Sequence, residues 1–102
     1  MTQSVHVVAV LTAKPGKRQA MLDAFAENLP AVLAEDGCIT YVPTVDAPES
    51  GAPYGPETVV VIEEWASAAH LEAHRVAPHM QEFSAKIGDW VADKAVHILT
   101  AG

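Results

Sequence analysis

Apolar and polar positions alternate in two rhythms along this chain, one of strands and one of helices. Over 5–11 the residues VHVVAVL are rich in β-branched side chains and apolar at both parities except at His6. That is the pattern of a strand buried on both faces. Pro15-Gly16 then marks a turn. Leu22, Phe25, Leu29 and Val32/Leu33 recur at three- and four-residue intervals and predict a helix over 17–35 with one apolar stripe. Pro30 lies inside the stripe, where it kinks or tightens a helix, and Asp36-Gly37 closes it. CITYVPTV over 38–45 reads as a second strand, with Pro43 pointing to an edge or a bulge. A Pro- and Gly-rich loop over 46–57 is longer than a hairpin needs. TVVVIEEW over 58–65 is a third strand. Ser67 suits the N-cap of a short helix reaching about 76. Pro78 suits the first turn of another, with Met80, Phe83, Ile87 and Val91 on its inner face. AVHILT over 95–100 is the last strand.

The order is β-α-β twice over, within one expected domain spanning 1–102. It predicts an α+β class of ferredoxin-like, split βαβ type: an antiparallel sheet with helices on one face. Helices on one face leave the other uncovered, yet the first, third and fourth strands read as apolar on both. A second copy of the sheet is the simplest cover, so a homodimer forming a dimeric α/β barrel is expected.

Composition narrows the partners. The 102 residues carry a formal charge of −7, and the six Lys and Arg are scattered. Nucleic-acid binding needs clustered cations, so no such partner is expected. Cys38 is the single cysteine, which excludes an intramolecular disulfide and a multi-cysteine metal site. The first apolar run is too short for a membrane span and lacks the flanks of a leader, so no membrane partner and a cytoplasmic location are expected. No G-x-G-x-x-G follows a strand, and no cofactor is expected. His70 and His74 have helical i, i+4 spacing but no third convergent ligand in the sequence, so no metal is expected either.

The segment Glu35-Asp36-Gly37-Cys38-Ile39-Thr40-Tyr41 resembles the helix-to-strand junction of the antibiotic-biosynthesis monooxygenase family. The block Glu63-Glu64-Trp65, Ala69-His70-Leu71-Glu72-Ala73-His74 and Ala77-Pro78-His79-Met80 carries a stronger likeness: E-x-W, eight intervening residues, His, four more, His. The resemblance spans 7–99 and, within the family, is similar to the bacterial quinol monooxygenases. It implies a dimer with one pocket per subunit between sheet and helices, where O₂ oxidises a phenolic or quinol substrate without flavin, haem or metal. A haem-degrading branch has an Asn on strand one and a Trp–His pair on its helices. Here strand one has no Asn, His74 stands at the position of that Trp and Ser84 at that of the His, so haem chemistry is not expected.

Without a cofactor, the electrons must come from the substrate, as a deprotonated quinol allows. The protein then supplies a base, donors for the developing charge and a dry pocket. His74 and His79 are the candidate catalytic residues; the plain alternative is that they cap helices and join the core. His79 opens a helix, where the dipole disfavours imidazolium and leaves a neutral ring able to accept a proton. Trp65, Tyr41, Glu63 and Phe83 are the candidate substrate-binding residues. Trp65 reads equally as a pocket wall or as core, Tyr41 as a donor or as packing, and Glu63 more readily as one half of an interface ion pair. His6 and His97 read as packing residues on outer strands. Two other functions stay open on sequence: a dimeric stress-response or ligand-binding barrel without turnover, and an isomerase of a small signalling metabolite.

Overall fold

The computed structural model describes residues 3–102. Its elements are β1 (Val5–Ala13), α1 (Arg18–Leu33), β2 (Cys38–Thr44), β3 (Thr58–Trp65), α2 (Ala68–Arg75), α3 (Pro78–Ile87), a 3₁₀ turn (Gly88–Trp90) and β4 (Val91–Leu99). The strands form one antiparallel sheet in the order β2-β3-β1-β4. This is the expected α+β, ferredoxin-like arrangement, with the helices on one face.

Strand alternation decides what meets the helices. On β1 the buried set is Val5, Val7, Ala9, Leu11 and Ala13; on β3 it includes Val59, Val61, Glu63 and Trp65. Met21, Ala24, Phe25 and Val32 of α1 and Phe83 and Ile87 of α3 close over them. Phe25 and Phe83 meet at 4.7 Å between ring centroids, which locks α1 against α3. No helix among the described residues is long and apolar enough to cross a membrane.

Several expectations need correcting. The stripe of α1 is rotated towards Met21 and Ala24, and Leu33 is exposed. The helix runs unbroken through Pro30 and stops at Leu33, with Ala34 as its cap. Val91 belongs to β4, not to α3, because α3 ends at Ile87 and the 3₁₀ turn reverses the chain before the strand begins. His6 lies on a central strand, since β1 pairs with both β3 and β4; of the two strands concerned only β4, which carries His97, is an edge. The 46–57 loop is pinned internally, Asp46 accepting hydrogen bonds from the backbone N–H groups of Tyr54 (3.0 Å) and Gly55 (2.8 Å).

The other sheet face carries Val42, Ile62 and Leu99, each about half exposed. On β4 the inward positions Lys94, Val96 and Ile98 extend beyond the helices, and Val96 and Ile98 are also about half exposed. The space under the helices is therefore open on the β4 side.

Candidate functional site

The site is built where four element ends meet. Glu35 follows α1, Tyr41 lies on β2, His74 is in the last turn of α2 and His79 in the first turn of α3. Two local devices hold this corner. Gly37 takes φ +80°, and its chain reversal lets the carbonyl of Gly37 accept from the N–H of Ala66 at 2.8 Å, tying the turn to the end of β3. Ser67 caps α2, accepting from the backbone N–H of His70 at 3.2 Å, and bonds the Nδ1 of His70 at 2.7 Å. The His70 ring thus lies flat over Gly37, where a Cβ would stand 2.3 Å from its Cγ. His70 is occupied with Ser67 and Asp36 and points away from His74's partner.

Glu35 is the hub. Its Oε2 lies 2.7 Å from Nδ1 of His74 and 2.9 Å from Nε2 of His79. A carboxylate only accepts, so each imidazole donates a proton to that oxygen. The donor atoms of the three residues lie within 4.8 Å of one another, as a metal-binding set would. The two short separations are nevertheless those of N–H···O bonds, and a ring nitrogen that holds a proton has no lone pair for a metal.

With Nδ1 of His74 held by Glu35, Nε2 is left as the acceptor. His74 is buried, yet Nε2 has no hydrogen bond among the described residues, where no buried polar side-chain atom lacks a partner. That nitrogen therefore opens into the cavity that His74 lines. The cavity, of about 310 Å³, lies between sheet and helices; its walls are mixed, apolar at Leu11, Phe25, Val61, Leu71, Phe83 and Ile87 and polar at Ser84 and His74. Tyr41 and Glu63 bring polar atoms to the same space, and Arg75 and Lys94 also line it. By the same reasoning the Tyr41 hydroxyl and the second carboxyl oxygen of Glu63 face the cavity.

Burial pushes the Tyr41 hydroxyl well above the ordinary phenol range, and the negative charges of Glu63 and Glu35 add to the shift. Tyr41 is therefore held protonated, as a hydrogen-bond donor. Glu63 is pushed above the usual carboxylate range by burial, with Glu35 adding to it. The hydrogen bond from Trp65 Nε1 (2.9 Å) and the charge of Lys94 pull it part of the way back down.

The expected residues are thus only partly brought together. His74, Tyr41, Glu63 and Phe83 line one cavity. Trp65 is fully buried and lies behind the site: its ring packs on that of His74 at 4.4 Å and its N–H holds Glu63. His79 faces a second, shallower depression of about 170 Å³. The sequence reading of His79 considered only its helix position; the structure adds Glu35, whose Oε2 lies 2.9 Å from its Nε2. Glu35 itself was missed. Its signal was a carboxylate beside the C-terminus of a helix, where the dipole disfavours negative charge unless a cationic or donor partner is present.

Because the folded pKa of Glu63 lies above its unfolded value of about 4.5, the unfolded chain releases that proton first. Stability consequently falls as pH rises from the unfolded value through the folded one. Glu63→Gln keeps an acceptor for Trp65 and removes this penalty. Thermal melts at about pH 7 are expected to show the variant more stable than wild type, with the gain gone at about pH 3, where both carboxyl states are protonated.

The structure is thus a two-layer α+β domain with a cavity between sheet and helices lined by His74, Tyr41 and Glu63. Residues 4–86 match the family model described as "Antibiotic biosynthesis monooxygenase", and the chain belongs to that family. It is 43% identical over 100 residues to the Escherichia coli protein named "Probable quinol monooxygenase YgiN", covering 94% of this chain and 96% of that one. Rv0793 of Mycobacterium tuberculosis is 33% identical over 89 residues, covering 87% of this chain and 81% of that protein. The solved structure of Rv0793 superposes with a TM-score of 0.81 and covers 97% of this chain and 95% of that one. A Methanosarcina mazei protein reaches a TM-score of 0.86 at 22% identity, covering 99% of this chain and 95% of that one, and so shares the fold.

Proposed function

We propose that this monooxygenase-family protein oxidises a quinol-like aromatic with O₂ and no added cofactor, working as a homodimer. The observation that carries the reading is His74: its Nδ1 is anchored to Glu35 and its Nε2 is open in a cavity with apolar walls at Phe25, Leu71, Phe83 and Ile87 and polar groups at Tyr41, Glu63, Arg75 and Lys94. A flat hydroxylated aromatic is neutral and apolar enough for that cavity, and presents the proton that a base needs.

In this reading His74 Nε2 takes the proton of a ring hydroxyl while the imidazole is held by Glu35. Tyr41 donates to the oxyanion that results. The anion passes an electron to O₂, and the radical pair combines at a ring carbon to give a hydroperoxide. Loss of water then leaves a carbonyl there. For 1,4-naphthoquinol, quinol plus O₂ gives hydroxynaphthoquinone plus water, and all four electrons come from the substrate. Phe83 and the aliphatic walls shield the ring on the helix side.

Oxygen uptake with freshly reduced 1,4-naphthoquinol tests the proposal, read as the excess over spontaneous oxidation. Saturable excess supports it. Uptake equal to the protein-free rate overturns it and favours the isomerase or binding-barrel readings.

The apolar outer face supports the homodimer. Val42, Ile62 and Leu99 stand on the side away from the helices, on β2, β3 and β4. Ile62→Arg puts a charge in that face and is expected to shift the mass measured by light scattering from two chains to one. A two-chain mass in both proteins would sink this assignment of the interface.

A further inference from the structure

The cavity holding His74 and the depression holding His79 are separate, and Phe83 is a wall of both. Glu35 joins them, one oxygen bonded to each ring. We propose that His79 is the proton outlet of the site: each proton that His74 takes from substrate drives one proton from His79 to solvent. This rests on the oxidation reading above.

The argument is one of charge. Glu35 is largely buried, and a single carboxylate offsets one imidazolium, not two. The proposal places that one positive charge on His79, the ring with access to water, and leaves Nε2 of His74 free. When His74 gains a proton on Nε2, two cationic rings would stand with their inner nitrogens within 4.8 Å. Like charges so close disfavour each other strongly.

The ring with access to water relieves this. His79 is part exposed, and its Nδ1, unbonded among the described residues, faces the depression. The groups around it are Glu27 and Asn28 of α1, and Glu82 and Lys86 of α3, with Glu35 behind. Lys86 is held by Glu27 at 2.8 Å, and Glu82 lines the same depression.

The step balances. The substrate O–H bond breaks and the His74 Nε2–H bond forms; the His79 Nδ1–H bond breaks and the proton joins water. Nothing is oxidised, Glu35 is unchanged, and the charge of the trio stays constant. The reverse step returns a proton when hydroxide leaves the hydroperoxide. For catalysis this matters because the step moves the positive charge from His79 to His74, beside the substrate anion, which can then persist until O₂ reacts.

The test begins without oxygen. Reduced 1,4-naphthoquinol is added to wild type and to His79→Gln in weakly buffered solution with a pH indicator. Gln can still donate to Glu35 but cannot carry a proton. Wild type is expected to release close to one proton per quinol bound, and the variant none. With oxygen, kcat of the variant is expected to fall about a hundredfold, the low end of what a proton-transfer group contributes, and to recover with added imidazole. KM should change much less.

Equal proton release by the variant, or no release by wild type that binds and turns over, overturns the outlet and leaves the oxidation reading standing. No binding or turnover by wild type overturns both. Nitrogen-15 NMR of the wild-type histidines serves if the variant misfolds. The proposal requires that quinol binding add a proton at Nε2 of His74 and remove one at Nδ1 of His79, and a spectrum in which neither ring changes overturns it.

Discussion

His74→Ala is expected to lower the excess O₂ uptake with naphthoquinol by a factor of about 10²–10⁴, the range general-base groups contribute. The fall should be in kcat more than in KM, because the apolar walls that hold the ring are untouched. Alanine also leaves room beside Trp65 and Tyr41, so the comparison needs near-ultraviolet circular dichroism to show that Trp65 keeps its setting. The rival base is Glu63, whose second oxygen faces the same cavity. Should Glu63 take the proton, Glu63→Gln would lose the activity and His74→Ala would keep most of it. Oxygen uptake by the two variants side by side decides between them.

Gly37→Ala is expected to cost about 2–4 kcal/mol of stability, in the range of the larger single-residue effects. Two causes add. An L-residue at φ +80° is strained by about 1–2 kcal/mol. In addition, the new Cβ would sit 2.3 Å from Cγ of His70, forcing that ring off its bonds to Ser67 and Asp36. In a domain of this size the melting temperature should fall by on the order of 10–20 °C. Gly16→Ala is the matched control: its φ is +79° but nothing lies within 4 Å of the new methyl, so only the conformational cost of about 1–2 kcal/mol should appear. Equal losses in the two variants would show that the His70 contact contributes nothing.

Most of the scaffold was legible because it depends on local pattern. β3 was read to the residue, and Ser67 and Pro78 marked two helix starts through the chemistry of caps and first turns. The order of strands was less so. Alternation says which way a side chain points but not which strand lies at the edge, and His6 was misplaced for that reason. Val91 was misread because its spacing from Ile87 continues a helical stripe; a 3₁₀ turn, not visible in that spacing, breaks it.

The site was legible as residue types and not as geometry. Tyr41, Glu63, His74 and Phe83 belong to elements whose inward faces could be read, and one cavity does bring them together. Glu35 lies 39 residues from His74 and 44 from His79, and no periodicity links positions so far apart. Only the packing of the end of α1 against the ends of two later helices brings them within bonding distance. Trp65 illustrates the same limit: alternation places it inward, but whether inward means against a ligand or behind a histidine is a matter of depth.

The hydrogen-bonded corner draws on element termini, whereas the cavity walls draw on strand and helix interiors. Glu35 and His79 flank the junctions that close α1 and open α3, and Gly37 and Ser67 brace the same place. Val61, Phe83, Ile87, Val96 and Ile98, by contrast, are wall positions with no part in that network. The two can therefore change independently over evolutionary time. Descendants of one ancestral chain can widen, narrow or recolour the chamber while the hydrogen-bonded corner is inherited intact.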